Sequence, residues 1–250
     1  MATVLPPVQA PQTRTSAPGA HLRLIVLASG PGRCIGIDLD SGAFVRASWP
    51  SSDNTGFSTY QLATAVIAEE QWPADPTRPE SVELEGPPQA GGRIPGWRVG
   101  RYLRPLEAPA GQPLLGFSGS EILYWQVPGT HPSVALIRPV GRIHLRSRQI
   151  GALGGQAAAT VATATGEAVG TVGDLGRDPE GAVPVAMARF EWGGARHDLP
   201  VLDAGGRADS AQGRVPGWTG RAAPRYLLIA LTGPVAGYCH KSVLALLPRP

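Results

Sequence analysis

The sequence predicts a mainly β protein made of short strands and turns. Of its 250 residues, 33 are Gly and 26 are Pro, two residue types that fit poorly inside helices and central strands. Apolar runs of strand length recur between turns rich in Gly, Pro, Ser and Asp. Hydrophobic residues make up 42% of the chain, enough to fill one or two ordinary cores. These observations favour barrels or sandwiches of about ten to thirteen strands, with one helix.

The chain begins with a tail and a three-strand meander. Residues 1–20 contain four prolines and no apolar segment typical of a signal peptide, so we expect a disordered tail. Apolar segments then predict three successive strands, at 21–28, 33–39 and 43–48. The turns between them are Ser29-Gly30-Pro31-Gly32 and Asp40-Ser41-Gly42.

Residues 59–71 are the one predicted helix. Ser58 and Gln61 resemble a capping box, the pair of reciprocal bonds that begins many helices. The apolar side chains that follow recur at helical spacing: Tyr60, Ala63, Val66 and Ile67. Pro73 and Pro76 end the segment.

The rest of the chain predicts further short strands. Those before residue 150 are expected at 81–85, 121–127, 133–138 and 142–148, with a Gly/Pro-rich loop leading to Trp97. Residues 149–181 are rich in Ala, Gly and Thr, with short strands expected at 159–164 and 168–172. The last strands are expected at 183–192, 196–202, 226–231 and 238–247. A boundary near 149–156 divides the chain into domains 21–150 and 151–250.

Three parts of the sequence carry a resemblance to a known family. Near the start, an apolar strand and a Gly-Arg-Cys turn (LIVLASGPGRCIG, 24–36) precede an aromatic-hydrophobic-Arg strand (GAFVR, 42–46). The segments ARFEW (188–192) with HDLPV (197–201), and YLLIAL (226–231) with GYCHK (237–241), form two further strand pairs. Together they resemble the prokaryotic dual OB-containing domain family. The resemblance implies two OB-like β-barrels in tandem and no established activity; nucleic-acid binding follows for the family by analogy of fold.

The positive charge of the chain is concentrated in its centre. Residues 93–148 hold 8 basic and 2 acidic residues, whereas the whole chain has a formal net charge of +3. Arg accounts for 21 of the 22 basic residues, a composition that suggests a GC-rich bacterial genome. A local excess of this size is able to meet phosphate groups.

The segment GRIHLRSR (141–148) is the first candidate site. In a strand, alternate side chains share one face, so Arg142, His144, Arg146 and Arg148 are expected on one side at about 6.6 Å spacing. Ile143 and Leu145 would then enter the core. Such a row is suited to a phosphate backbone, and an ordinary solvated strand face is the alternative interpretation.

The second candidate site interleaves aromatic and cationic residues, as a stacking surface for single strands requires. Its members are Trp97, Arg98, Arg101 and Tyr102, with Arg104 beside them and Tyr124 and Trp125 as an extension. Half-buried aromatic residues with one polar end in water are the alternative interpretation.

The sequence carries no motif for a cofactor, a metal or catalysis. The five histidines lack metal-ligand spacing, and the two cysteines are too few for a zinc site. Cys34 beside Cys239 or His240 would be a Cys/His pair, although two inert core thiols are the simpler interpretation. No stretch approaches the roughly 18 apolar residues of a membrane span, and we expect a cytoplasmic protein.

The expected function is therefore non-enzymatic binding of nucleic acid, as single-stranded DNA or RNA, by arginines and exposed aromatic rings. The alternative is a protein–protein interaction or scaffold module in a bacterial multi-protein system, using sheet edges and the tail. An enzyme with a Cys/His centre is a third class.

Overall fold

The computed structural model describes residues 17–50, 56–71, 75–127, 133–150, 183–202, 226–234 and 237–248. The protein is mainly β, with 53% of the structure in strands and one short α-helix. The strands are β1 (His21–Gly30), β2 (Arg33–Asp38), β3 (Phe44–Ser48), β4 (Gln61–Val66), β5 (Ser81–Glu83), β6 (Gln89–Arg93), β7 (Glu121–Leu123), β8 (Val134–Ile137), β9 (Val140–Ile150), β10 (Val183–Trp192), β11 (Ala195–Pro200), β12 (Tyr226–Leu231) and β13 (Tyr238–Leu247). The helix is α1 (Gly96–Leu103), and 3-10 turns cover Arg104–Leu106, Leu114–Gly116 and Tyr124–Gln126.

The first sheet is curled. Its six strands lie in the order β5-β3-β2-β1-β4-β6, in which β1, β2 and β3 form the predicted antiparallel meander and β5 is parallel to β3. Past the ends of β4 and β5, Ile67 pairs with Leu84. The Ala68 N–H donates to the Glu83 carbonyl at 2.9 Å, and the Glu85 N–H donates to the Val66 carbonyl at 3.1 Å. These bonds join the end of β4 to the end of β5, and the sheet is curled as a half-barrel.

Two smaller sheets form the rest of the fold. One has the order β7-β13-β12-β8 and the other the order β11-β10-β9. A parallel bridge between Val201 and Val243 connects them, with the Leu202 N–H donating to the Val243 carbonyl at 2.8 Å. Both sheets contain strands from before and after residue 150, and the first two residues of the expected boundary at 149–156 lie where β9 pairs with β10.

Three apolar clusters fill the structure. The first lies inside the curled sheet and includes Leu24, Cys34, Val45 and Trp49. The second lies inside the two smaller sheets and includes Phe190, Trp192, Leu227, Ile229 and Val243. The third, here called the shared core, joins residues of β1–β3 to residues of β8, β12, β13 and α1: Ile25, Leu27, Ile35, Ile37, Phe44, Val99, Leu103, Leu136, Leu228 and Leu247.

A buried polar cluster lies beside the shared core. The Arg46 Nε donates to Glu80 Oε1 at 2.5 Å, and its Nη2 donates to the carbonyls of Ser133 and Leu231, both at 3.0 Å. The Ser133 hydroxyl also bonds Glu80. Burial lowers the pKa of Arg46, while the Glu80 carboxylate acts to raise it. Arg46 thus ties β3 of the curled sheet to β12 and to the residue before β8.

The helix predicted at 59–71 is wrong, because this segment contains β4. The predicted capping pair is present, with the Ser58 N–H donating to Gln61 Oε1 at 2.9 Å, but it closes a turn. Tyr60 has a φ of 67°, which a right-handed helix does not allow. Pairing of β4 with β1 across five residues then outweighs local preference. Ala63 lies inside the curled sheet and Leu62 packs on the shared core, so both faces are apolar and the alternation is masked.

The α-helix lies instead at α1, which begins where the predicted Gly/Pro-rich loop ends, in a segment for which the sequence predicted no element. Its buried side chains, Val99 and Leu103, are four residues apart and face the shared core. Pro95 occupies the N-cap, where a missing N–H costs no helical hydrogen bond.

The other strand predictions differ from the structure mainly at their ends. The strand expected at 121–127 stops at Leu123, where a 3-10 turn begins. The strands expected at 159–164 and 168–172 lie outside the described residues, as does the tail up to residue 16. Residues 17–20 are described, and the Gly19 N–H donates to the Ile67 carbonyl at 3.0 Å.

Candidate functional site

Strand β9 presents a row of polar side chains to solvent. Arg142, His144 and Arg146 are exposed, whereas Ile143 and Leu145 pack against the cluster inside the two smaller sheets. This is the alternation that the sequence predicted. Arg148 belongs to the same strand and lies opposite Val185, and its side chain is outside the description.

Charged residues of β10 and β11 continue this face. Arg189 lies opposite His144 on one side and opposite Asp198 on the other. Its Nη2 donates to Asp198 Oδ2 at 3.3 Å, and Arg146 Nη2 donates to the same oxygen. Arg196 Nη2 donates to Glu191 Oε1 at 3.4 Å. We call the basic side chains on these three strands the basic face: Arg142, His144, Arg146, Arg189 and Arg196.

The carboxylates on this face do not neutralise its arginines. Four arginines stand against Glu191 and Asp198, and Asp198 uses one oxygen for two guanidinium groups. The paired side chains are 29% to 68% exposed, and ion pairs of this kind contribute at most about 1 kcal/mol. The arginines are therefore able to exchange these partners for phosphate oxygens at small cost.

Sequence reasoning missed the residues of β10 and β11 on this face. Arg189 and Glu191 alternate with the buried Ala188, Phe190 and Trp192, which is a visible strand pattern. What the sequence lacks is the register that places them beside β9, a strand from much earlier in the chain.

The second predicted group lies on α1, where each arginine covers an aromatic ring. The guanidinium carbon of Arg98 is 4.5 Å from the centroid of the Trp97 ring, and that of Arg101 is 4.6 Å from the Tyr102 centroid. Trp97 is 75% exposed, while Tyr102 is half-buried against the shared core. Arg101 Nη2 also donates to the Tyr102 hydroxyl at 2.5 Å. The cation–π contacts of this group are internal to α1, whereas the first predicted group lies on β9. The two predicted groups therefore occupy different elements.

A third exposed group, here called the aromatic corner, consists of Tyr124, Trp125 and Tyr238. The Tyr124 and Trp125 rings meet edge to face with centroids 5.5 Å apart. Tyr238 begins β13 and lies opposite Leu123 of β7. The sequence singled out Tyr124 and Trp125 as an extension of the α1 group, whereas the structure places them with β13.

The two cysteines lie in separate apolar clusters. Cys34 is inside the curled sheet, where burial raises the pKa of its thiol to about 12. Cys239 belongs to the cluster inside the smaller sheets, and burial raises its pKa as well. The pKa of His240 is lowered by burial, which opposes the effect of nearby Glu121. The described core therefore does not bring Cys34 beside Cys239, the alternative to two separate core thiols, and neither thiol has the depressed pKa of a nucleophile.

The described ranges show neither a metal-binding cluster nor a membrane-spanning helix. No group of three or more His, Cys, Asp or Glu side chains is arranged there to hold a metal ion. Across the same ranges, no helix has the length and apolar character needed to cross a membrane.

No family model, curated protein or solved structure matches this chain. Its function must therefore be inferred from its own residues.

Proposed function

We propose that the protein binds nucleic acid through the basic face, without catalysing a reaction. The observation that carries this proposal is the placement of four exposed or half-exposed arginines on three adjacent strands, β9, β10 and β11. Neighbouring strands are about 4.8 Å apart, and alternate residues of one strand about 6.6 Å apart. A grid of guanidinium groups at these spacings offers paired N–H donors to successive phosphates.

We infer further that the chain forms two OB-like barrels, with the boundary before Val134 and not near residue 150. The support is the pairing order. The first half runs β1-β2-β3-β5-β4 and returns to β1, and the second runs β9-β10-β11-β13-β12 and returns to β8, which leads into β9. In chain order, with β8 and β9 counted as one strand, the third strand of each half meets the fifth in parallel. These pairs are β3 with β5, and the end of β11 with β13. Each order fits a five-stranded Greek-key barrel of the OB type.

The two halves differ in what covers the face that OB-folds use for ligands, the outer side of the second and third strands. In the first half this face carries Ile35, Ile37 and Phe44, which are buried in the shared core. In the second half it carries Arg189 and Arg196, which face solvent. This difference supports the basic face as the ligand surface of the molecule.

The proposal is tested by replacing Arg142, Arg146 and Arg189 with Ala and titrating a fluorescent single-stranded oligonucleotide at several salt concentrations. Each lost phosphate contact is expected to weaken binding and to reduce the slope of log K against log salt by about 0.7. Arg23→Ala is the matched control, because Arg23 is an exposed, ion-paired arginine of the curled sheet. Equal affinity and equal salt slope for the triple variant and the unaltered protein would contradict the proposal.

A second candidate function, protein interaction by strand addition, is favoured by β6. This strand lies at the edge of the first sheet, and all five of its residues are exposed. Unpaired edge groups are able to accept a strand from a partner. A titration in which no oligonucleotide binds at low salt would favour this candidate over nucleic-acid binding. Cytoplasmic location and bacterial origin stay predictions.

A further inference from the structure

The aromatic corner is held in a defined place and exposed to solvent. Tyr124 is 45% exposed, Trp125 61% and Tyr238 41%. The Tyr124 N–H donates to the Gly237 carbonyl at 3.0 Å, which joins the turn after β7 to the residue before β13. Folding thus leaves three large apolar surfaces in water at one point of the molecule.

The strand that ends the basic face and the strand that leads into the corner flank the same side of β13. The Lys241 N–H donates to the Ser120 carbonyl, and the Val243 carbonyl accepts from the Leu202 N–H. Since residues two apart in a strand direct these groups to the same side, β7 and the end of β11 both lie on that side of β13. Val201 meets Val243 in parallel register, so β11, which carries Arg196, runs in the same direction as β13, which begins at Tyr238.

The rings of the corner are better placed for stacking than those of α1. An edge-to-face contact covers at most one face of one ring, so Tyr124 and Trp125 keep free faces. On α1, by contrast, an arginine side chain already occupies one face of the Trp97 ring and one face of the Tyr102 ring, and Tyr102 is also half-buried against the shared core. The charge near the corner also differs from that of the basic face, because exposed Glu121 begins β7, the strand that leads into Tyr124. Its Oε1 lies 3.8 Å from the Nδ1 of His240 in β13. An acidic group there disfavours phosphate and leaves the corner to uncharged bases.

We propose that the aromatic corner stacks unpaired bases of the strand whose phosphates bind the basic face, which makes single-stranded nucleic acid the ligand class. The proposal rests on the function proposed above. In a duplex the base faces are already stacked on each other, so the corner adds affinity for an unpaired strand alone. Arg196, on the strand of the basic face that shares one side of β13 with β7, would contact a phosphate between the last phosphate-bound nucleotide and the first stacked base.

The experiment compares a single-stranded oligonucleotide with a duplex of the same sequence, using the full chain. Trp125→Ala/Tyr238→Ala is expected to lose about tenfold or more in affinity for the single strand. Its salt slope is expected to stay unchanged, because no phosphate contact is removed. Trp125→Phe/Tyr238→Phe keeps both rings and should retain most of the affinity. Trp97→Ala, which removes a more exposed ring of the other predicted group, is the comparison variant and should lose less affinity than the corner variant does.

Two results would overturn this inference while the proposed function stands: unchanged single-strand affinity in the Ala variant, or equal affinity of the unaltered protein for single strand and duplex. Failure of the unaltered protein to bind either oligonucleotide at low salt would overturn the proposed function itself, and this inference with it.

Discussion

Lys241 is a basic residue in buried surroundings. It is the single lysine among 22 basic residues, is 1% exposed, and donates to the Phe117 carbonyl. Burial lowers the pKa of Lys241 to about 8. An arginine would stay charged in this site at any pH that the fold survives, whereas a lysine is able to lose its charge.

Lys241→Met is therefore expected to change the pH dependence of stability. Between pH 8 and about 10.4 the unfolded chain holds a proton on Lys241 that the folded chain has released, so raising the pH stabilises the unaltered protein. Across that window the unaltered protein should gain about 2 to 3 kcal/mol relative to the Met variant. Urea titrations of both proteins at pH 7, 8.5 and 10 measure the difference. The raised pKa values of Cys34 and Cys239 affect both proteins alike, and a pH-independent difference would refute the assignment.

The predictability of the candidate site also changes from residue to residue. Alternation along β9 was visible in the sequence, because a strand's period of two depends on neighbouring residues alone. The bonds of Arg146 and Arg189 to Asp198 were not, because they depend on the register of three strands. The aromatic corner was predicted only in part. Tyr124 and Trp125 were identified from the sequence, but their proximity to Tyr238 depends on the β7–β13 pairing.

At the scale of elements, strands bounded by turns were predicted well and elements with ambiguous patterns were not. β1, β2 and β3 have apolar runs and Gly-containing turns, and they form the expected meander. β4 was mistaken for a helix because both of its faces carry apolar side chains, Ala63 on one and Leu62 on the other, so its apolar spacing does not have a period of two. α1 was missed because Pro95 and Gly96 resemble a loop, and two apolar residues one turn apart are a weak signal.

The contact between β1 and β2 depends on a residue without a side chain. A Cβ on Gly36 would lie 2.6 Å from the Ile25 carbonyl oxygen, next to the bulge between Val26 and Ala28. Gly36→Ala is therefore expected to destabilise the protein by about 1 to 3 kcal/mol, because backbone must move to make room. Gly92→Ala in β6 is the matched control, since a Cβ there meets no atom within 4 Å. Thermal or chemical unfolding that ranks the two variants equally would contradict this account.

At the scale of the whole molecule, the shared core and the Arg46 cluster make the two halves one structure. The apolar residues that β1–β3 contribute to the shared core are buried against β8, β12, β13 and α1, and the converse also holds. Arg46 adds charged hydrogen bonds across the same boundary. Sequence patterns identify apolar strands but do not distinguish a strand buried on one face from one buried on both, so this packing was not predictable.

Arg46→Ala is expected to destabilise both halves together by about 3 to 5 kcal/mol, because it leaves the buried Glu80 carboxylate without its cationic partner. Arg23→Ala breaks an exposed ion pair with Asp40 and should cost about 1 kcal/mol or less. Far-UV circular dichroism and tryptophan fluorescence should report one coincident transition in urea for the unaltered protein. Two separate transitions would contradict a common core.

Under the proposed function, the covering of Ile35, Ile37 and Phe44 by the second half sets how many nucleic-acid strands one molecule is expected to hold. Two free faces would let a single chain bridge two nucleic acids or wrap one strand twice. Because one of the two faces is buried, each chain offers a single binding site, and saturation is expected at one oligonucleotide per chain. Coating a long strand would then require many separate copies side by side, with spacing set by the footprint of one face.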